Sequence, residues 1–461
     1  MLWNSRFIIF AFALIATCIC VHVDGNAEVV SDNFENPVEM YLYAWPLVFS
    51  SLTRQSMAYL PDNLLVPLPT FPDPNLTAIV KPNVDTLYSA CWINHEKSDE
   101  LVLTVPNTNK GVYYLFPLMD AWTNVVESPG WRTTGKDAIT VLIQGPFSNQ
   151  SYSPDKYDLI IKSTTSIAYL LGRTNVIDPD NLTPTQSQMF SYELNTIKSS
   201  IRNAALKSAN GVVDIDKKTP VEKIFAMSAK QFFEKFAELM ISNPPVLPQD
   251  TDIVEKMNLD FGLVPGQPWQ FSDLDEKQKQ ALTDAVKTGT DLLYSYPVTK
   301  ANGWTIPDML TGKFGTNYYL RAYIGLVLYA ANVPQDAVYF VSDLKENAGK
   351  VYELEFDPTS GGPPPTNQFW SVTMYSEDGY LVANENRTYS ISSQQKLVYR
   401  EDGRVHITVS MVEPADRSTT NWLPAPQAGE RFQLTLRVYW PKDEVLSGTW
   451  TPPEIKEVAL G

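Results

Sequence analysis

Cysteine and histidine are almost missing from this chain, with three of each in 461 residues. Cys18, Cys20 and His22 lie in an apolar N-terminal run, so the rest of the chain keeps only Cys91, His95 and His406. One cysteine cannot form an internal disulfide. Two histidines leave little for a zinc site or a Ser-His-Asp triad. His406 alternates within "RVHITVSM" and reads as a strand residue; His95, in the turn "NHEKSDE", reads as solvated. Cys91 in "YSACWI" reads as a small buried hydrophobe. No P-loop, G-x-G-x-x-G after a strand, G-x-S-x-G, H-E-x-x-H or C-x-x-C occurs, so nucleotide- and zinc-dependent chemistry have no motif to use. Positive charge is scarce too: 36 Lys and Arg face 52 Asp and Glu, a formal net charge of -16. Phosphate-backbone binding needs clustered cations, so nucleic acid is excluded as a partner.

What is present begins with a signal-like N-terminus: an apolar run from Phe7 to Val21, then Val23 and Gly25 at −3 and −1 of a cleavage site. This predicts a signal peptide over 1–25, a mature start near Asn26 and a secreted, extracellular protein. The run is too short for a membrane span, and no later stretch is long and apolar enough for one. Sequons at Asn75, Asn149, Asn181 and Asn386 then become candidate glycosylation sites on surface loops.

Periodicity divides the remainder. "PVEMYLYAWPLVFSSLTRQSMAYL" suits a buried helix that Pro46 should kink or split. From about Asn83 to Ile177, short β-rich runs separated by Pro, Gly, Asn and Asp predict a sandwich or barrel. A helical segment follows over 183–303. There Thr219, Pro220 and Glu222 form a capping box, opening a helix that Asn243-Pro244-Pro245 ends, and Ser272 caps another with Asp275 reaching back. A helix from about Asn317 to Ala331 opens the last part, 304–461, and alternating runs such as "FWSVTMY" and "FQLTLRVYW" make the rest of it a second all-β domain.

"VKPNVDTLYSACWIN", "GVYYLFPLMDAWTNVVESPGWRTTG" and "LGRTNV" resemble the domain of unknown function 1254. "RAYIGLVLYAANVPQDAVYF", "PPPTNQFWSVTMYSEDGYLV" and "NWLPAPQAGERFQLTLRVYWP" resemble the domain of unknown function 1214. The resemblance implies an α+β, β-rich fold: two antiparallel, jelly-roll-like β-sandwiches over 26–182 and 304–461, with helices packed between and around them. It also implies a homo-oligomer, and carries no agreed activity.

The chemistry left is that of carboxylates, tyrosines and arginines. Asp85, Asp120 and Glu127 sit at strand ends or turns of the first β region, where clefts form. A pair of them within several ångströms could act as general acid and base, or hold Ca²⁺ or Mg²⁺, although no cofactor is evident. "KPNVDTLY" concentrates polar capacity. Pro82, Asn83 and Asp85 suit a turn; Lys81, Asp85 and Tyr88 suit an acid/base relay beside a pocket, and composition leaves both readings open. Arg321, in the apolar helix "NYYLRAYIGLVLY", must find a carboxylate, a ring face or an anionic ligand; Arg132 and Arg173 are weaker versions of the same case. Two functions follow. One is a hydrolase of a small or amphiphilic ester, sulfate esters included, with Asp85, Asp120 and Tyr88 as the catalytic set and Lys81, Asn83, Tyr114, Trp122, Arg321 and Trp422 around the substrate. The other is a non-catalytic protein presenting Trp131, Trp370, Trp422 and Trp440 to sugars, lipids or partner subunits.

Overall fold

The computed structural model describes residues 36–75, 81–107, 111–196, 218–246, 248–347 and 349–458. The signal-peptide expectation falls outside them. The described residues form an α+β, β-rich molecule with four sheets and no closed barrel.

The first sandwich faces a six-stranded sheet against a four-stranded one. The larger sheet runs Val66–Leu68, Thr86–Asn94, Ile167–Asn175, Leu118–Asp120, Val125–Glu127, with Tyr114–Leu115 also on Ile167–Asn175. The smaller runs Glu193–Thr196, Glu100–Val105, Ile139–Gln144, Leu159–Lys162. Alternation puts Leu87, Cys91 and Ile93 into the core with Leu101, Leu103, Val141 and Ile143 of the facing sheet.

The second sandwich repeats the plan. A seven-stranded sheet has Arg431–Pro441 at its centre, with Ala337–Ser342 and Thr366–Ser376 on either side. Opposite it lie Asn421–Pro424, Val405–Ser410, Val351–Phe356 and Lys456–Val458. Its core gathers Trp370, Val372, Met374, Leu434, Leu436 and Val438 against Leu354, Phe356, Ile407 and Val409. Neither sandwich is wholly antiparallel: Ile139–Gln144 pairs in parallel with Leu159–Lys162, and Val405–Ser410 with Asn421–Pro424.

The helices form their own layer around Asn36–Ser56, which is buried on every side from Met40 to Ser50. Pro46 does not split this helix. Its lost N–H and ring clash cost about 3 kcal/mol, and burial of Tyr41, Trp45, Leu47 and Phe49 at about 1.5–3 kcal/mol each outweighs that. The capping box at Thr219 and Glu222 is present, but it opens only Pro220–Phe225; a second box at Ser228 and Gln231 starts Ala229–Met240. A serine three residues before a glutamine offers a better end than continued helix, which the apolar stripe concealed. Similarly, Asp275 and not Ser272 caps Glu276–Tyr294, since Ser272 sits in a short 3-10 turn. The helix read to Ala331 ends at Val327. Its residues Tyr318, Tyr319 and Ala322 pack in the helical layer.

Two further expectations change. His95 is not solvated but 4% exposed, because Gly145 has no side chain and lets the backbone close over the ring. Trp131, Trp370 and Trp422 are buried, so only half-buried Trp440 of that set offers a face. Among the described residues no helix is long and apolar enough to cross a membrane.

Candidate functional site

The central strands of the second sandwich bury one face in their own core and turn the other toward the first. Along Thr366–Ser376 that outer face carries Phe369, Ser371, Thr373 and Tyr375; along Arg431–Pro441 it carries Thr435, Arg437 and Tyr439. Register sets Ser371 and Tyr339 on either side of Arg437. On the first sandwich, Tyr88 lies directly across from Arg173. The turn Lys81–Asp85, just before Thr86–Asn94, closes onto this polar row.

Arg437, 3% exposed, organises the contact. Its Nη1 donates to Thr373 Oγ1 at 3.0 Å, and its Nη2 to Tyr375 OH at 2.8 Å and Lys81 O at 3.0 Å. Tyr375 OH in turn donates to Pro82 O at 2.6 Å. Asn83 makes the turn, accepting the Asp85 N–H at 2.6 Å through Oδ1, while its Nδ2 donates to Tyr439 OH at 2.8 Å. Asp85 does otherwise. Its carboxylate accepts no local backbone N–H; Oδ2 takes the Ser371 hydroxyl at 2.6 Å. In "KPNVDTLY", then, Asn83 serves both the turn and the contact between sandwiches, and the Asp85 carboxylate serves the contact.

Electrostatics follow from that burial. Desolvation raises the Asp85 carboxyl above its usual range, with Arg437 and the Ser371 hydrogen bond pulling the other way. Burial, then the neighbouring Arg437 charge, lower Lys81 to about 8. Although the Lys81 ammonium is desolvated, Lys81 as a residue is half-buried, as are Val84, Tyr88 and Tyr339, so the cluster is not sealed on every side. Burial raises Tyr375 to about 12 despite Arg437, so its phenol stays neutral. Arg173 sits across from Tyr88 with its guanidinium carbon 5.8 Å from the ring centre, donating to Asn332 Oδ1 and, at 2.8 Å, to Ala330 O.

The remaining candidates lie elsewhere. Asp120 pairs with Ala168, at the far end of the strand whose Asn175 pairs with Thr86. Seven residues at about 3.4 Å each separate these ends by about 24 Å, too far for a carboxylate pair. Asp120 instead holds its own turn, accepting Asn124 N at 2.8 Å, Asn124 Nδ2 at 3.0 Å and Thr164 Oγ1 at 2.9 Å. Arg321 is 0% exposed and has no ion pair among the described residues; its guanidinium carbon sits 5.2 Å from Tyr43, 5.4 Å from Trp122 and 5.1 Å from Tyr318 ring centres. Trp122 also donates to Pro244 O at 3.0 Å, which fixes it in that cage. Tyr114 is in the first core near Phe116, and Trp422 donates to Ser410 O at 3.0 Å on the outer sheet of the second sandwich. Glu127 accepts the neighbouring Ser128 N–H. Among the described residues no three His, Cys, Asp or Glu side chains gather as a metal site.

Sequence reasoning missed Ser371, Thr373, Tyr375, Arg437, Tyr439 and Tyr339. The available signal was alternation: "FWSVTMYS" and "QLTLRVYW" put polar and aromatic side chains on the face away from their own core.

Residues 63–193 match the family model described as a protein of unknown function (DUF1254), and residues 340–443 match that of a protein of unknown function (DUF1214). No curated protein matches the chain. Among solved structures, the VPA0106 protein from Vibrio parahaemolyticus is similar at 19% identity and TM-score 0.67, over 92% of this chain and 99% of that one. An uncharacterized protein from Burkholderia cenocepacia aligns at 12% identity and TM-score 0.48, over 97% and 93%. At such identities the first likeness speaks to the fold alone. The interdomain cluster joins residues from both matched regions, and the chain is a member of the two-domain family that pairs DUF1254 with DUF1214.

Proposed function

We propose that the protein is a hydrolase of a small or amphiphilic ester carrying an anionic group, with the cluster between the sandwiches as its active site. The observation that carries this reading is the Ser371–Asp85 hydrogen bond of 2.6 Å inside a cluster rich in cations. Desolvation raises the Asp85 carboxyl, and a more basic carboxylate is a better general base than an ordinary one. Asp85 accepts the Ser371 proton as Oγ attacks the ester carbon, then returns it to the leaving alcohol; water, deprotonated by Asp85, releases the acid and restores Ser371. Arg437, Lys81 and Arg173 supply the field for the anionic group. Asp120 and Arg321 take no part in this chemistry.

The same proposal places the protein outside the cell as a glycoprotein. Asn75, Asn149, Asn181 and Asn386 are all exposed, as attachment requires. Esters and sulfate esters of small alcohols, offered to the secreted protein, test the activity. Turnover should fall about 10²–10⁴-fold in Asp85→Asn. Equal turnover in both proteins overturns the assignment.

One observation favours the second reading, a binding protein for sugars or lipids. Trp440 lines a cleft of about 490 Å³ with Arg132, Gln335, Asn367 and Lys442. Its backbone is in the left-handed region at φ 49°, a strained state for a tryptophan. Quenching of Trp440 fluorescence by oligosaccharides, without turnover of any ester, would favour it.

A further inference from the structure

We propose that the anionic group held between the sandwiches is a dianion, a phosphate monoester or two carboxylates on one small molecule. This rests on the reading of the cluster as a ligand site. Arg437, Arg173 and Lys81 meet there, and Asp85 is the one carboxylate that faces them among the described residues. Asp336 is taken by Arg132 at 2.6 Å, and Glu377 by Arg431 at 2.6 Å. Arg173, 5% exposed, donates to the Asn332 amide and the Ala330 carbonyl and has the Tyr339, Tyr88 and Tyr439 phenols around it, with no carboxylate paired to it among the described residues. The phenols cannot make up the deficit, since burial raises Tyr339, Tyr375 and Tyr439 and keeps them neutral.

Hydrogen-bond valence points the same way. Tyr339 OH accepts from Asn332 Nδ2 at 2.8 Å and Tyr439 OH accepts from Asn83 Nδ2 at 2.8 Å. Each phenol therefore keeps its own hydrogen to donate. The Lys81 ammonium has no partner among the described residues. The cluster thus offers spare donors and two surplus positive charges. Buried charge of one sign is strongly unfavourable unless paired. A monoanion leaves one charge uncompensated; a dianion balances the sum and accepts from Lys81, Tyr339 and Tyr439 together. Pairing also restores the Lys81 proton, so binding takes up protons in solutions near pH 8.

Calorimetric titration of the whole protein with inorganic phosphate, succinate and acetate tests this. Phosphate or succinate should bind at least about tenfold more tightly than acetate, with proton uptake visible as a buffer-dependent heat. Phosphate preferred over succinate assigns the monoester; the reverse assigns the dicarboxylate. Lys81→Met, at a partly exposed position, should fold and lose the preference. Acetate binding as tightly as both dianions, or a preference that survives in Lys81→Met, overturns the inference. Dianion preference without ester turnover removes the hydrolase and leaves this proposal standing; turnover without the preference does the opposite.

Discussion

Ser371 and Asp85 are 286 positions apart in the chain, and the serine hydroxyl donates to the aspartate Oδ2 at 2.6 Å where the two sandwiches meet. Asp85→Asn keeps an acceptor for that hydroxyl and removes the charge. Its stability should stay within about 1 kcal/mol of wild type at neutral pH. The folded carboxyl binds its proton more tightly than the unfolded one, so it contributes stability at acid pH that is lost as pH rises through the folded value. Thermal melts from acid to neutral pH should show this decline in wild type and not in Asp85→Asn.

Lys81 has the opposite sign. Its folded pKa is lowered to about 8 from 10.5, so between these values the unfolded chain holds a proton that the folded chain lacks. Stability from this group is complete above pH 10.5 and is lost as pH falls through 8. Wild-type stability measured against that of Lys81→Met should therefore rise across this window, and a flat difference would contradict the desolvation of Lys81.

Leu436 is fully buried among Leu434, Val438 and Phe340 in the second core. Leu436→Ala should destabilise by about 2–5 kcal/mol in urea unfolding, through lost transfer energy and the remaining cavity. A loss below about 0.5 kcal/mol would mean that the strand presents its other face.

Arg321 lies among three rings with no direct ion pair among the described residues, although the Asp120 carboxyl feels its charge, and its Nε and Nη1 have no acceptor there. Replacing it with an apolar side chain of similar length removes the desolvation cost of a buried cation that no carboxylate pairs directly. Arg321→Met should melt at or above the wild-type temperature. A loss of about 3 kcal/mol or more would show that the cation–ring contacts outweigh desolvation.

Half of the site was legible in the sequence because it is local. Lys81, Asn83, Asp85 and Tyr88 crowd one turn and strand start, more polar capacity than a turn uses. The other half was hidden by burial on both faces. Ser371 and Arg437 alternate with core residues in strands that look like ordinary sandwich strands, and only a partner on the outer face distinguishes them. Asp120 was misleading for the same reason: a carboxylate at a strand end has one composition whether it closes a turn or faces a ligand. The β-rich and helical regions were readable from periodicity. The parallel pairs and the break at Ser228 were not, since pairing partners and competing caps depend on contacts that periodicity does not contain.

The most direct measurement is anomalous diffraction from crystals soaked in selenate, a dianion whose selenium marks its own position. Selenate should give a single strong peak at the seam, within hydrogen-bonding distance of Lys81, Tyr339 and Tyr439 and close to Arg437. An empty seam at selenate concentrations that fill other surface sites would contradict it.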